Sequence, residues 1–117
     1  MKIILILGAL LNGFGAFTLL ATTLREMQTQ AAPDDYWQLR LFVAGTALTF
    51  GMLYLYLFWR PAYVWPFLVF GAALKSWAFL LSLFLFQRGL VSKKAFTEFG
   101  ISNGVVAVGF WTYLFSL

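Results

Sequence analysis

Four apolar runs dominate the chain, at about residues 3–24, 39–59, 66–86 and 96–117, and most polar residues collect between them. Each run is close to the ~20 residues that a helix needs to cross the hydrocarbon core of a bilayer. Lipid offers the backbone no hydrogen-bond partners, so only helices and closed barrels span it. The runs lack the period-two alternation of barrel strands. The expected fold is therefore all-α: a polytopic membrane protein, a compact four-transmembrane-helix bundle forming one domain over residues 1–117. Composition agrees, with 62% hydrophobic and 10% charged residues, where a soluble domain is roughly a quarter charged. So short a chain has no soluble core large enough to hide that much apolar surface, and the same figures exclude disorder.

The first run, "IILILGALLNGFGAFTLLATTL", follows Lys2 directly. It is longer than the apolar region of a cleaved signal and reads as an uncleaved span. The connections suit helical hairpins. "REMQTQAAPDDYWQLR" is the longest, with Asp34 and Asp35 as loop and capping residues. "RPAYVWP" ends the second helix, because the residue before Pro61 avoids the helical region. In "QRGLVSKK", Gly89 is a C-cap candidate and Ser92 an N-cap candidate. Trp59, Tyr63, Trp65, Trp111 and Tyr113 fall toward one membrane face, Tyr36 and Trp37 toward the other, as interfacial belts. The first and third connections hold Arg25, Arg40, Arg88, Lys93 and Lys94, against Lys2 and Arg60 opposite. The positive-inside rule then puts those two connections in the cytoplasm, although Lys2 argues the other way.

The chain has no cysteine and no histidine. That removes thiolate chemistry and the commonest metal ligand and neutral-pH base. Paired carboxylates, nucleophile–base pairs and phosphate loops are missing from the spans, so the sequence points away from an enzyme and names no catalytic residue, metal site or cofactor. The net charge of +4 reflects topology and anionic headgroups, and no nucleic-acid partner is expected.

Small and polar residues recur every three or four positions: Gly8, Asn12, Gly15 and Thr22; Arg40, Ala44, Ala47, Gly51 and Tyr54; Gly71, Lys75, Ala78 and Ser82; Gly100, Asn103, Ala107 and Trp111. This spacing lays each set along one helix face. In lipid such faces turn toward neighbouring helices, and most of the small residues serve packing alone. Asn12 and Lys75 each lie about nine residues into their spans from the same side, roughly 14 Å deep, and Asn103 lies roughly 10 Å deep from the other. These three can meet. A lysine at the bilayer centre costs about 2.5–3.5 kcal/mol on insertion scales, so it needs partners, water or deprotonation. Three readings stay open for Lys75: snorkelling to the headgroups, an interior lysine without chemistry, and a ligand or ion contact. Glu98 is the one carboxylate inside a span. It is either a first-turn acid favoured by the helix dipole or the partner of Arg40 in a structural ion pair.

"DDYWQLRLFVAGTALTFGMLYL" resembles the segment entering the second helix of DoxX-like and related uncharacterised four-span bacterial proteins, where an acid and an arginine with four residues between them lead into a glycine-bearing apolar helix. "WRPAYVWPFLVFGAALK" is similar to the turn that follows there, and "ISNGVVAVGFWTYL" to the last helix. The resemblance implies a compact four-helix bundle in the bacterial inner (plasma) membrane, with polar groups near one end. Some members are associated with oxidoreductase systems, and distant bundles of this shape bind sterols or other lipids. Arg40 and Lys75 are the positions it carries over. Asn103 stands where an acid is expected, so a role needing that acid does not carry over.

The first functional expectation is a lipid or other lipophilic ligand bound in the bundle interior. Its site residues would be Lys75, Asn12, Asn103, Tyr54, Trp77 and Ser82. The alternatives are an accessory or assembly subunit of a larger membrane complex and a homo-oligomeric channel or transporter. Expected partners are membrane lipids, the lipophilic ligand itself, and a partner membrane protein or second copy.

Overall fold

The computed structural model describes residues 1–117 and is all-helical. Four helices run in sequence: α1 (Ile3–Glu26), α2 (Tyr36–Trp59), α3 (Val64–Gln87) and α4 (Ser102–Phe115). A 3₁₀ turn, Pro61–Tyr63, joins α2 to α3. A short turn, Lys93–Ala95, and a π-helical stretch, Phe96–Ile101, lead into α4. The first three helices are long and apolar enough to cross a membrane, which marks an integral membrane protein. The fourth is shorter, 14 residues or about 21 Å at the α-helical rise.

The helices reach further than the apolar runs suggest. α1 continues through Glu26, and α2 starts at Tyr36, three residues before the apolar run. Polar residues expected in a loop therefore lie on helix ends. Ser92 caps the last helical segment, its Oγ accepting from the Ala95 N–H at 3.0 Å. Gly89 closes α3 with φ +73°, a conformation costly for a side chain bearing Cβ.

α1 packs along α2, and α3 along the π stretch and α4; α1–α4 and α2–α3 contacts join the two hairpins. The apolar core centres on Leu5, Tyr54, Leu68 and Phe110, toward the end that holds the α2–α3 turn. There the Tyr54 and Phe110 rings meet edge-on at 4.8 Å. Two glycines permit this approach: a Cβ on Gly8 would stand 2.6 Å from Phe110, and one on Gly71 2.6 Å from Tyr54. Large apolar side chains such as Phe14, Phe42, Phe70, Phe84 and Phe115 point outward, as a lipid-facing surface requires.

The inward face of α1 differs from the expected stripe. Leu5, Asn12, Ala16 and Thr23 are its buried line, together with Gly8, whereas Gly15 is exposed and Thr22 half-buried. At 3.6 residues per turn these four lie within about 40° of one another, and Gly15 and Thr22 fall outside that arc. A stripe drawn through the small residues alone drifts off the packed face. Tyr113 is also not interfacial: it is buried in the core.

Candidate functional site

Lys75 is the centre of the polar interior. It lies one turn beyond Gly71 on the buried face of α3 and is only 5% exposed. Its Nζ donates to Asn12 Oδ1 on α1 and, at 2.8 Å, to Asn103 Oδ1 on α4. Both amides are anchored by their other end. Asn12 Nδ2 donates to the Ala47 carbonyl on α2 at 2.9 Å. Asn103 Nδ2 donates to the Phe99 carbonyl at 2.7 Å. One ammonium and two carboxamides thus tie all four helices together. Lys75 faces the bundle and does not climb to the headgroups.

The π stretch sets the position of Asn103. Its wider turns leave carbonyls to side-chain donors. Ser102 Oγ donates to Glu98 O at 2.5 Å and to Phe99 O at 3.1 Å, beside the Asn103 amide. Gly100 lets this segment lie against α3, because a Cβ there would be 2.7 Å from the Ser82 Cβ. Ser82 is buried at that crossing, not at the lysine.

Tyr54 closes the other side. Its ring is fully buried, rests on Gly71, and has its centroid 6.0 Å from Lys75 Nζ, the outer limit of a cation–π contact. Its hydroxyl has no hydrogen-bond partner and is the only buried side-chain oxygen or nitrogen in that condition.

Two expected site features fall elsewhere. Trp77 is 61% exposed and points away from the interior. It follows Lys75 by two residues, about 200° around the helix, so the two cannot line one site. Arg40 does not pair with Glu98, which is exposed. Its Nη1 meets Glu26 Oε2 at 3.1 Å and the Tyr36 hydroxyl at 2.6 Å, and its Nε donates to Thr23 Oγ1 at 3.0 Å. The extra half-turn at the end of α1 brings Glu26 within reach. The nearest carboxylate is therefore on the adjoining helix, across the α1–α2 hairpin.

One interior bond had no clear sequence signal. Trp111 Nε1 donates to Ser76 Oγ at 2.9 Å, joining α4 to α3. Trp111 lies on the expected α4 stripe, but its position near the chain end favours the interfacial reading.

Two grooves lie on the outside of the bundle, away from the polar cluster. A groove of about 410 Å³ runs along the outer face of α2, lined by Leu41, Phe42, Gly45, Thr46, Thr49 and Phe50. A second, of about 280 Å³, lies by the α2–α3 turn, between Leu53, Tyr56, Leu57, Tyr63 and Phe67. Comparison with protein-family models, curated proteins and solved structures gives no match.

Proposed function

We propose that the chain is a four-span membrane protein acting as an accessory subunit, with an interior devoted to its own cohesion and an apolar exterior that meets lipid and partner helices. The observation carrying this reading is the way the interior is used. Lys75, Asn12 and Asn103 bind one another across the four helices, and Tyr54 and Phe110 press onto Gly71 and Gly8 beside them. A lipophilic ligand seated there would have to displace both sets of contacts. Residues 93–115 form an unbroken helical column, since the junction residues Phe96 and Ser102 keep helical dihedrals. That column is about 34 Å long at 1.5 Å per residue, enough for a fourth span.

The groove along α2 favours a second reading: a lipid chain held on the outside of the bundle. It is apolar and opens on the face bearing Phe42, which is directed outward. Native mass spectrometry of the protein extracted in gentle detergent from its own membrane separates the two. A defined complex with another membrane protein and no stoichiometric lipid supports the accessory role. A lone chain carrying one lipid, lost in Gly45→Leu, supports the groove instead and overturns the first reading.

A further inference from the structure

The hydrogen-bonding groups around Lys75 do not balance. Both carboxamide oxygens accept from the lysine, and one N–H of each carboxamide goes to the Ala47 or the Phe99 carbonyl. Two donors at the centre of the cluster are left over. An ammonium carries three N–H bonds, of which the two amides take two. The Tyr54 hydroxyl is fully buried and bonded to nothing. It lies against Gly71, its oxygen 3.0 Å from the Cβ position there, one helical turn from Lys75. An acceptor would satisfy both. The sign of the cluster says which kind: its one charged group is a cation, and the carboxylate of the π stretch, Glu98, is exposed while that of α1 is bound to Arg40. A buried charge is retained where it is paired.

From this accounting we infer that Lys75 and Tyr54 form a binding site for one small inorganic anion of halide size, with the Asn12 and Asn103 amides holding the lysine in place. The anion accepts from the third N–H of Lys75 and from the Tyr54 hydroxyl. The buried position favours a weakly hydrated monovalent ion over sulfate or an organic acid, because a divalent or bulky anion loses more hydration and has no further donors to replace it. The Tyr54 hydroxyl, unused by the packing of the core, then has a role: it provides the neutral donor in a site whose charge comes from Lys75.

The test uses full-length protein purified in gluconate. Thermal unfolding is followed while chloride or bromide replaces gluconate at constant ionic strength. The melting temperature is expected to rise saturably with either halide and to stay flat when sulfate is exchanged in. Tyr54→Phe, which keeps the ring on Gly71, is expected to weaken the halide dissociation constant about tenfold, the loss of one hydrogen bond to a charged partner. Lys75→Met is expected to abolish the response. Should Lys75→Met fail to fold, bromide soaked into crystals of the wild type reports the same site by anomalous scattering within hydrogen-bond distance of Nζ. A melting temperature identical in chloride and gluconate, or a halide response unchanged in Tyr54→Phe, overturns the inference. The first result would leave a water or the bare lysine in that position. These outcomes do not depend on whether the chain docks to a partner.

Discussion

Removing Asn103 is expected to cost far more while Lys75 is present than when Lys75 has already been replaced. In Asn103→Leu, a near-isosteric change, the 2.8 Å bond from Lys75 is lost while the ammonium stays buried. A hydrogen bond to a charged group is worth about 1.5–3 kcal/mol, and the 2.7 Å bond from Asn103 to the Phe99 carbonyl goes as well. The expected loss is about 2–3 kcal/mol. Lys75→Met behaves differently. It leaves two amide oxygens without a donor, about 1–3 kcal/mol each, but relieves the burial of a charge, about 2.5–3.5 kcal/mol on insertion scales. The two terms largely offset, and the net loss is expected at about 1 kcal/mol. Replacing Asn103 in the Lys75→Met background then costs under about 1 kcal/mol, and the double-mutant cycle yields a coupling of about 2 kcal/mol. Ordinary interhelical hydrogen bonds in membranes average about 0.6 kcal/mol, so the measurement separates a charge-assisted clamp from routine packing. Reversible unfolding in bicelles, by sodium dodecyl sulfate titration or steric trapping, gives the four stabilities. Additivity within about 0.5 kcal/mol, the behaviour of independent sites, would refute the clamp.

Three further outcomes follow from the same packing. Gly71→Ala is expected to destabilise the protein by about 1–3 kcal/mol, the usual cost of overpacking, because its Cβ would be 2.6 Å from Tyr54; Gly45→Ala, with nothing within 4 Å, should be neutral or slightly stabilising by the same unfolding assay. Trp77→Ala should leave bundle stability within about 0.5 kcal/mol of wild type, since the side chain is outside the interior; a larger loss would mean that the ring packs inward. Arg40→Met should loosen the α1–α2 end, seen as faster amide hydrogen exchange around Thr23 and Glu26, whereas Glu98→Gln should leave that exchange unchanged.

The helical architecture was legible because backbone chemistry in lipid leaves few choices, and each long apolar run became a helix. Within it, the meeting of Asn12, Lys75 and Asn103 followed from depth: polar groups on inward faces at similar heights have only one another for company. What the sequence hid depends on angle and exact helix ends. Gly15 and Thr22 look equivalent to Ala16 and Thr23 in composition, and only the true helical twist separates them. Glu26 looked like a loop residue until α1 extended by half a turn and offered it to Arg40. Trp77 looked like a pocket wall because it neighbours Lys75 in the chain, but two residues along a helix is nearly the opposite side.

The π stretch explains how a lysine on α3 and an amide on α4 come to share a height. Each π-type bond adds one residue to a turn, so residues beyond Phe96–Ile101 are rotated about 100° relative to an uninterrupted α-helix. Asn103, Val106 and Phe110 share a face by ordinary α-helical spacing within α4, and the rotation re-aims the residues that precede them. With it, Gly100 meets Ser82, Asn103 meets Lys75 and Phe110 meets Tyr54 along one continuous line. Ser102 and Asn103 both return bonds to the carbonyls of the stretch, so the residues that gain from the altered register also stabilise it. The irregular segment and the buried lysine are therefore linked through one side chain: Asn103 holds the Phe99 carbonyl of the π stretch with its nitrogen and accepts from Lys75 with its oxygen.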